Sequence, residues 1–161
     1  MKWSWKIARI ADIDVYIHAT FLLLVYLVGL AYWNQQGTMD AVVAGVGFVL
    51  ALFACVVLHE FGHALTARRY GIQTRSITLL PIGGVAALEK MPDNPRQEIH
   101  VAIAGPAVNL FIAVLLYLYI DLRGTPLAGA EPGLANGSFV YRLMLVNLFI
   151  AGFNLLPAFP M

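Results

Sequence analysis

Two histidines that lie four residues apart, His59 and His63, have a glutamate, Glu60, directly after the first of them. Positions four apart fall on one face of a helix, so both imidazoles can reach one metal ion. Zinc accepts imidazole nitrogens and, in catalytic sites, keeps one position open for water. Glu60 can reach that water without binding the metal. The pattern therefore predicts a zinc site that activates water, with His59 and His63 as metal ligands.

The motif follows an apolar stretch, residues 41–58, that is long enough to lie in a membrane helix. Ionisable side chains at membrane depth are costly and usually functional. Two interfacial histidines beside a capping or paired glutamate would be the purely structural alternative. The placement instead favours zinc chemistry within the bilayer.

The composition predicts an all-α polytopic membrane protein. Hydrophobic residues make up 60% of the 161 residues, charged residues only 12%, and the mean hydropathy is +0.77. A net charge of +1 gives no sign of a nucleic-acid surface, and the partner that the composition predicts is a lipid bilayer. Stretches near 20 residues predict about four transmembrane helices in a single membrane-embedded core, 1–161, at about 15–33, 41–67, 99–120 and 139–156.

The basic residues predict the orientation. The N-terminus carries three of them, the segment 68–96 carries five, and the loops 34–40 and 121–138 together carry only Arg123. Because basic loops stay on the cytoplasmic side, we expect the N-terminus and the long middle loop to be cytoplasmic.

The middle loop contains a predicted hairpin at about 72–90. Two short apolar runs, 76–80 and 85–88, flank Pro81-Ile82-Gly83-Gly84, a sequence typical of a turn. The pattern His-Glu-x-x-His on a helix is typical of zinc peptidases. A strand edge beside such a site could hold an extended substrate through main-chain hydrogen bonds. A re-entrant loop that only seals the helices is the alternative.

Polar residues and prolines interrupt the last two predicted spans. Gly105 and Pro106 precede Asn109, so neighbouring helices could approach closely there and Asn109 could face the cavity that holds the metal. The fourth span contains Asn147 and Asn154, which favour protein or a water-filled cavity over lipid. Prolines at positions 157 and 160 predict unwinding of its end.

With these features in place, the chain strongly resembles the site-2 protease family of intramembrane zinc metalloproteases, most of all its compact prokaryotic members. The matching segments are the H-E-F-G-H of 59–63, the G-P-A-V-N of 105–109 and the N-L-L-P-A-F-P-M of 154–161. The resemblance implies Zn²⁺ on His59 and His63, Glu60 as general base, and Asn109 beside the metal, supporting the substrate carbonyl. It also implies regulated cleavage in or near a transmembrane segment of a membrane-anchored substrate, in a prokaryotic cell membrane. Some members carry C-terminal regulatory modules.

The family's third zinc ligand is an aspartate that follows a segment like 154–161. The sequence stops at Met161, so we expect a chain truncated before that ligand. Three glutamates could be considered instead, as in zinc peptidases with a downstream glutamate ligand. Glu131 falls on the expected outer side, and Glu89 and Glu98 lie in the charged loop, so none fits well.

Three other functions stay open at this point. A membrane scaffold or pseudoprotease would bind a partner's transmembrane helix without cutting it, and a truncated chain with only two ligands favours this reading most. A transporter would also have broken helices and buried polar residues, but the four spans show no evident inverted repeat. A membrane zinc peptidase with a downstream glutamate ligand would share the motif at 59–63 but not the segment at 154–161.

Overall fold

The structure, a computed structural model, describes residues 3–88, 94–123 and 138–156. These residues form four helices and one small sheet. In chain order the elements are β1 (Ser4–Ile10), β2 (Ile13–His18), α1 (Ala19–Gln36), α2 (Met39–Arg69), β3 (Thr74–Leu80), β4 (Gly83–Leu88), α3 (Pro95–Leu122) and α4 (Phe139–Leu155).

The four strands form one sheet in the order β1-β2-β3-β4. The outer pairs are antiparallel hairpins, whereas β2 and β3 run parallel. Parallel neighbours need a long crossover connection, and the pair α1–α2 provides it. The same connection returns the chain to the sheet directly after the histidine motif, so the β3–β4 hairpin expected at about 72–90 lies next to α2.

The expectation of an all-α protein is wrong for the N-terminus. Residues 15–18, assigned to the first span, belong to β2, and α1 begins only at Ala19, after His18 caps its N-terminus. Ile13, Val15 and Ile17 alternate with polar residues, the period of a strand with one buried face. Ala11 and Asp12 have φ of 50° and 64°, as a two-residue hairpin turn requires. Period-two alternation over 13–18 was the signal for this strand.

Among the described residues, two helices, α2 and α3, are long and apolar enough to cross a membrane: an 18-residue window within each has a mean hydropathy of 2.8 and 2.2, respectively. The side-chain oxygen of Thr38 accepts from the backbone N–H of Ala41 at the start of α2. Two arginines, Arg68 and Arg69, lie in its last turn, where they complement the helix dipole. Asn94 and Pro95 begin α3 as N-cap and first helical residue. α4 is a shorter apolar helix of 17 residues.

One face of the sheet packs on α2. Ile13, Val15 and Ile77 of the sheet form a buried cluster with two residues of α2, Phe61 inside the histidine motif and Ala64 directly after it. A second cluster joins Phe21, Phe53 and Leu79, and the rings of Phe21 and Phe53 meet edge to face at 4.5 Å. The sheet therefore fixes the end of α2 that carries the histidines.

Candidate metal centre

His59 and His63 face each other across one turn of α2. Their Nε2 atoms are 3.0 Å apart, and the His59 side chain is buried. Both nitrogens thus point at the same small volume between α2 and α3. This is the arrangement that the four-residue spacing predicts for two ligands of one metal.

The other nitrogen of each ring is held by an oxygen on α3. Nδ1 of His63 is 2.7 Å from the backbone carbonyl of Val101, and Nδ1 of His59 is 3.2 Å from Oδ1 of Asn109. These oxygens can only accept, so both rings donate from Nδ1 and leave the Nε2 lone pairs free. Two converging lone pairs repel each other unless a cation lies between them. The donor set and its hydrogen-bonded support therefore fit a zinc ion.

Two glycines allow α2 and α3 to approach this closely. A Cβ atom at position 105 would lie 2.7 Å from Nε2 of His59 and 2.6 Å from Cε1 of His63. A Cβ atom at position 62 would lie 2.7 Å from the carbonyl oxygen of Ala104. Glycine at both positions is required for the helix contact, and Gly105 keeps the space in front of the two Nε2 atoms open.

Glu60 lies on the neighbouring face of α2 and lines a cavity of about 590 Å³ together with His59. Further residues of α2, Leu24 of α1, residues of α4 and the connection between β3 and β4 form the rest of its wall. The polar lining residues are His59, Glu60 and Asn154, and the remaining walls are apolar or backbone. Glu60 and His59, one of the two predicted metal ligands, therefore share one cavity.

Pro81 and Ile82 of the β3–β4 turn line this cavity, together with Gly83 and Gly84, the first two residues of β4. β4 pairs with β3 and is the last strand of the sheet among the described residues. Within the part of the chain that the structure describes, β4 is thus a sheet edge that begins beside Glu60, as the prediction of a substrate-holding strand requires.

Asn109 has no exposed surface, and it does not line the cavity that Glu60 lines. Its Oδ1 contacts His59, so the structure brings it to the predicted metal ligand and not to the predicted substrate path. Asn154 was not among the predicted site residues, yet it lines the cavity while its Nδ2 donates to the carbonyl oxygen of Ile150. An amide inside an apolar segment was its sequence signal.

A third ligand does not appear among residues 3–88, 94–123 and 138–156, where no group of three or more His, Cys, Asp or Glu side chains could hold a metal ion. Glu98 lies exposed in the first turn of α3. Glu89, Glu131 and the segment 157–161 lie outside the described residues.

The chain is similar to several known proteins in sequence and in fold. Residues 47–126 match the model of peptidase family M50. A zinc metalloprotease of Methanocaldococcus jannaschii is 39% identical over 167 residues, which cover 100% of this chain and 43% of that protein. Stage IV sporulation protein FB of Bacillus subtilis is 28% identical over 70% of this chain and 36% of its own length.

The solved structure of a site-2 protease from Methanocaldococcus jannaschii superimposes with a TM-score of 0.69 at 34% identity. The match covers 99% of this chain and 67% of that one. This chain therefore spans less than half the length of these two curated relatives and two thirds of the solved chain.

Proposed function

The chain belongs to peptidase family M50, the site-2 protease family, and we propose that it forms the core of an intramembrane zinc metalloendopeptidase. Its substrate would be a membrane-anchored protein, cut in or near a transmembrane segment. The observation that carries the proposal is the convergence of the His59 and His63 Nε2 lone pairs, beside a glutamate that lines a cavity.

The two histidines would hold Zn²⁺ through Nε2, together with a further ligand that the described residues do not contain. Bound there, zinc supplies a Lewis acid for the peptide carbonyl and for the attacking water. Glu60 accepts the proton of that water and delivers it to the leaving amine. Asn109 and the carbonyl of Val101 hold the two imidazoles in the required tautomer, so we assign Asn109 a positioning role.

The substrate would bind as an added strand on β4. Proteases bind extended peptides, and a sheet edge offers main-chain donors and acceptors at regular spacing. β4 begins at the cavity that Glu60 lines, so a peptide added to it would reach the site of cleavage. Side-chain selectivity would then come from the apolar cavity walls, which suit a transmembrane sequence.

In the membrane, we propose that all four helices cross the bilayer, with the N-terminus cytoplasmic in a prokaryotic cell membrane. The length and hydropathy of α2 and α3 support two of these crossings, and the distribution of basic residues supports the orientation. A regulatory module beyond this core is compatible with the greater length of the relatives.

The test uses the full-length protein in vesicles with a transmembrane peptide as substrate. Glu60→Gln should retain near-stoichiometric zinc and abolish cleavage, whereas His59→Ala should lose both. Glu98→Gln is the matched control, because that carboxylate is exposed at the start of α3 and should change neither. Cleavage by Glu60→Gln would refute the assigned base. A wild-type protein that binds the peptide with neither zinc nor cleavage would favour the scaffold function instead.

A further inference from the structure

Two fully buried asparagines lie on the two helices that pack most extensively against each other, α3 and α4. Neither Asn109 nor Asn147 has any exposed surface. Each has one side-chain atom without a hydrogen-bond partner among the described residues: Nδ2 of Asn109, a donor, and Oδ1 of Asn147, an acceptor. Buried polar atoms are rarely left unpaired, so this complementary pair needs an explanation.

The packing of the helices places these two amides at the same level. Ala113 of α3 and Met144 of α4 belong to one buried cluster. On α3, Asn109 lies one turn from Ala113 in the direction of His59, which it contacts. On α4, Asn147 lies about one turn from Met144 in the same direction, next to Val146, which lines the cavity. Both amides therefore lie between the shared cluster and the metal ligand.

The other polar atom of each side-chain amide already has a hydrogen-bond partner. Nδ2 of Asn147 donates to the carbonyl oxygen of Leu143 at 2.8 Å, which leaves Oδ1 directed elsewhere. Oδ1 of Asn109 accepts from Nδ1 of His59, which leaves Nδ2 without a partner. Oδ1 of Asn147 therefore needs a hydrogen-bond donor, and Nδ2 of Asn109 needs a hydrogen-bond acceptor.

The orientation of the Asn109 amide decides which nitrogen of His59 can bind metal. With Oδ1 toward the ring, His59 is protonated at Nδ1 and its Nε2 lone pair is free. With the amide reversed, Nδ2 would donate to Nδ1, the ring proton would move to Nε2, and that nitrogen could no longer bind a metal. Metal on Nε2 therefore selects the orientation in which Nδ2 of Asn109 points away from His59.

We propose that Asn147 is a positioning residue for His59. Its Oδ1 becomes the acceptor for Nδ2 of Asn109 when His59 binds the metal, and so stabilises the amide orientation that metal binding requires. Because such coupling is reciprocal, removing the acceptor must weaken metal binding. This inference rests on the proposed zinc site, but it concerns metal affinity and not cleavage.

The experiment measures Zn²⁺ affinity of the full-length protein by competition with a chromophoric chelator. Leucine has a size similar to asparagine but no hydrogen-bond acceptor, so Asn147→Leu should bind Zn²⁺ about tenfold more weakly than the wild type. Loss of a group that supports a metal-bound histidine typically lowers metal affinity by about 10- to 100-fold, and tenfold is the lower end of that range. Asn147→Asp keeps an acceptor and should restore affinity to near the wild-type value. Met144→Ala loosens the same helix contact without removing a polar group and should leave affinity unchanged.

Equal affinities in wild type and Asn147→Leu would overturn the proposal. So would an equal loss in Met144→Ala, which would make the effect one of packing, or a failure of Asn147→Asp to restore binding. If Asn147→Leu does not fold, Asn147→Ala is compared with Met144→Ala in the same way. Absence of zinc binding in the wild type would instead refute the proposed function itself.

Discussion

Gly84 of β4 lies so close to Glu60 of α2 that a Cβ atom at position 84 would be 2.7 Å from Cγ of Glu60. The same atom would be 3.3 Å from Cγ1 of Val56, one turn earlier on the helix. The sheet edge and the predicted general base are thus in direct contact. Any side chain at position 84 must displace either the glutamate or the strand.

Gly84→Ala should therefore lower the rate of cleavage while leaving zinc in place. Glu60 can rotate away from the added methyl group, but it then leaves the position from which it reaches the water. General acid–base catalysis contributes about 10²- to 10⁴-fold, and partial displacement should reduce kcat about tenfold or more. Zinc content and kcat are measured on the full-length protein. Gly47→Ala, which adds the same methyl group at a position of α2 where no atom lies within 4 Å, is the control and should change neither value.

Gly105→Ala should have the opposite pattern, with zinc lost first. The added Cβ atom would lie within 2.7 Å of Nε2 of His59, and the helix backbone that carries it cannot rotate away. We expect the zinc affinity to fall about 100-fold. The added methyl group also overpacks the contact between α2 and α3, which should lower the free energy of unfolding by about 1–3 kcal/mol. Gly47→Ala places the same methyl group where no atom lies within 4 Å and should leave affinity unchanged. Wild-type affinity in Gly105→Ala would contradict the placement of the metal.

The sequence alone was sufficient to predict that two imidazoles share one face of α2. The spacing of His59 and His63 placed both rings on one helix face, and the structure shows their Nε2 atoms converging. The Pro-Ile-Gly-Gly turn at 81–84 was sufficient to predict the β3–β4 hairpin. Both features depend on local spacing, which a single sequence records directly.

What the sequence could not supply is contact between distant segments. The parallel pairing of β2 with β3 joins residues about sixty positions apart, and only the folded chain shows it. The N-terminal hairpin was missed because hydropathy over a long window hides the period-two alternation at 13–18. Asn109 was predicted beside the metal, but its exclusion from the cavity follows from helix packing that no motif encodes.

The N-terminal hairpin should depend on an ion pair across its two strands. Lys6 of β1 pairs with Asp14 of β2, and this hydrogen bond is the main cause that lowers the pKa of Asp14 below its usual 3.8. A lowered folded-state pKa means that the pair stabilises the fold above pH 3.8, and that this contribution is lost as the pH falls through the folded-state value. Asp14→Asn should therefore unfold at a lower temperature than the wild type at neutral pH.

The difference in melting temperature between Asp14→Asn and wild type should shrink as the pH falls below 3.8, and it should disappear once the pH lies below the lowered folded-state pKa, where Asp14 is protonated in both states of the wild type. Asp12→Asn is the matched control, since Asp12 is more exposed and its contacts with Arg9 and Arg68 are longer, at 3.6 and 3.8 Å. A constant difference across the pH range would show that the ion pair is not its source.

The proposed strand addition on β4 makes a prediction that depends only on strand geometry. Successive N–H groups of a strand point to opposite sides, so of Val85 and Ala86 one N–H faces β3 and the other faces the free edge. Proline removes the N–H and is tolerated where that group faces away from the neighbouring strand. One of the two variants, Val85→Pro or Ala86→Pro, should therefore keep the melting temperature and the zinc of the wild type yet cleave the substrate at least tenfold more slowly. The other should lose stability because it breaks the pairing with β3. A variant that retains the fold, the zinc and full cleavage would show that the substrate does not pair with this edge.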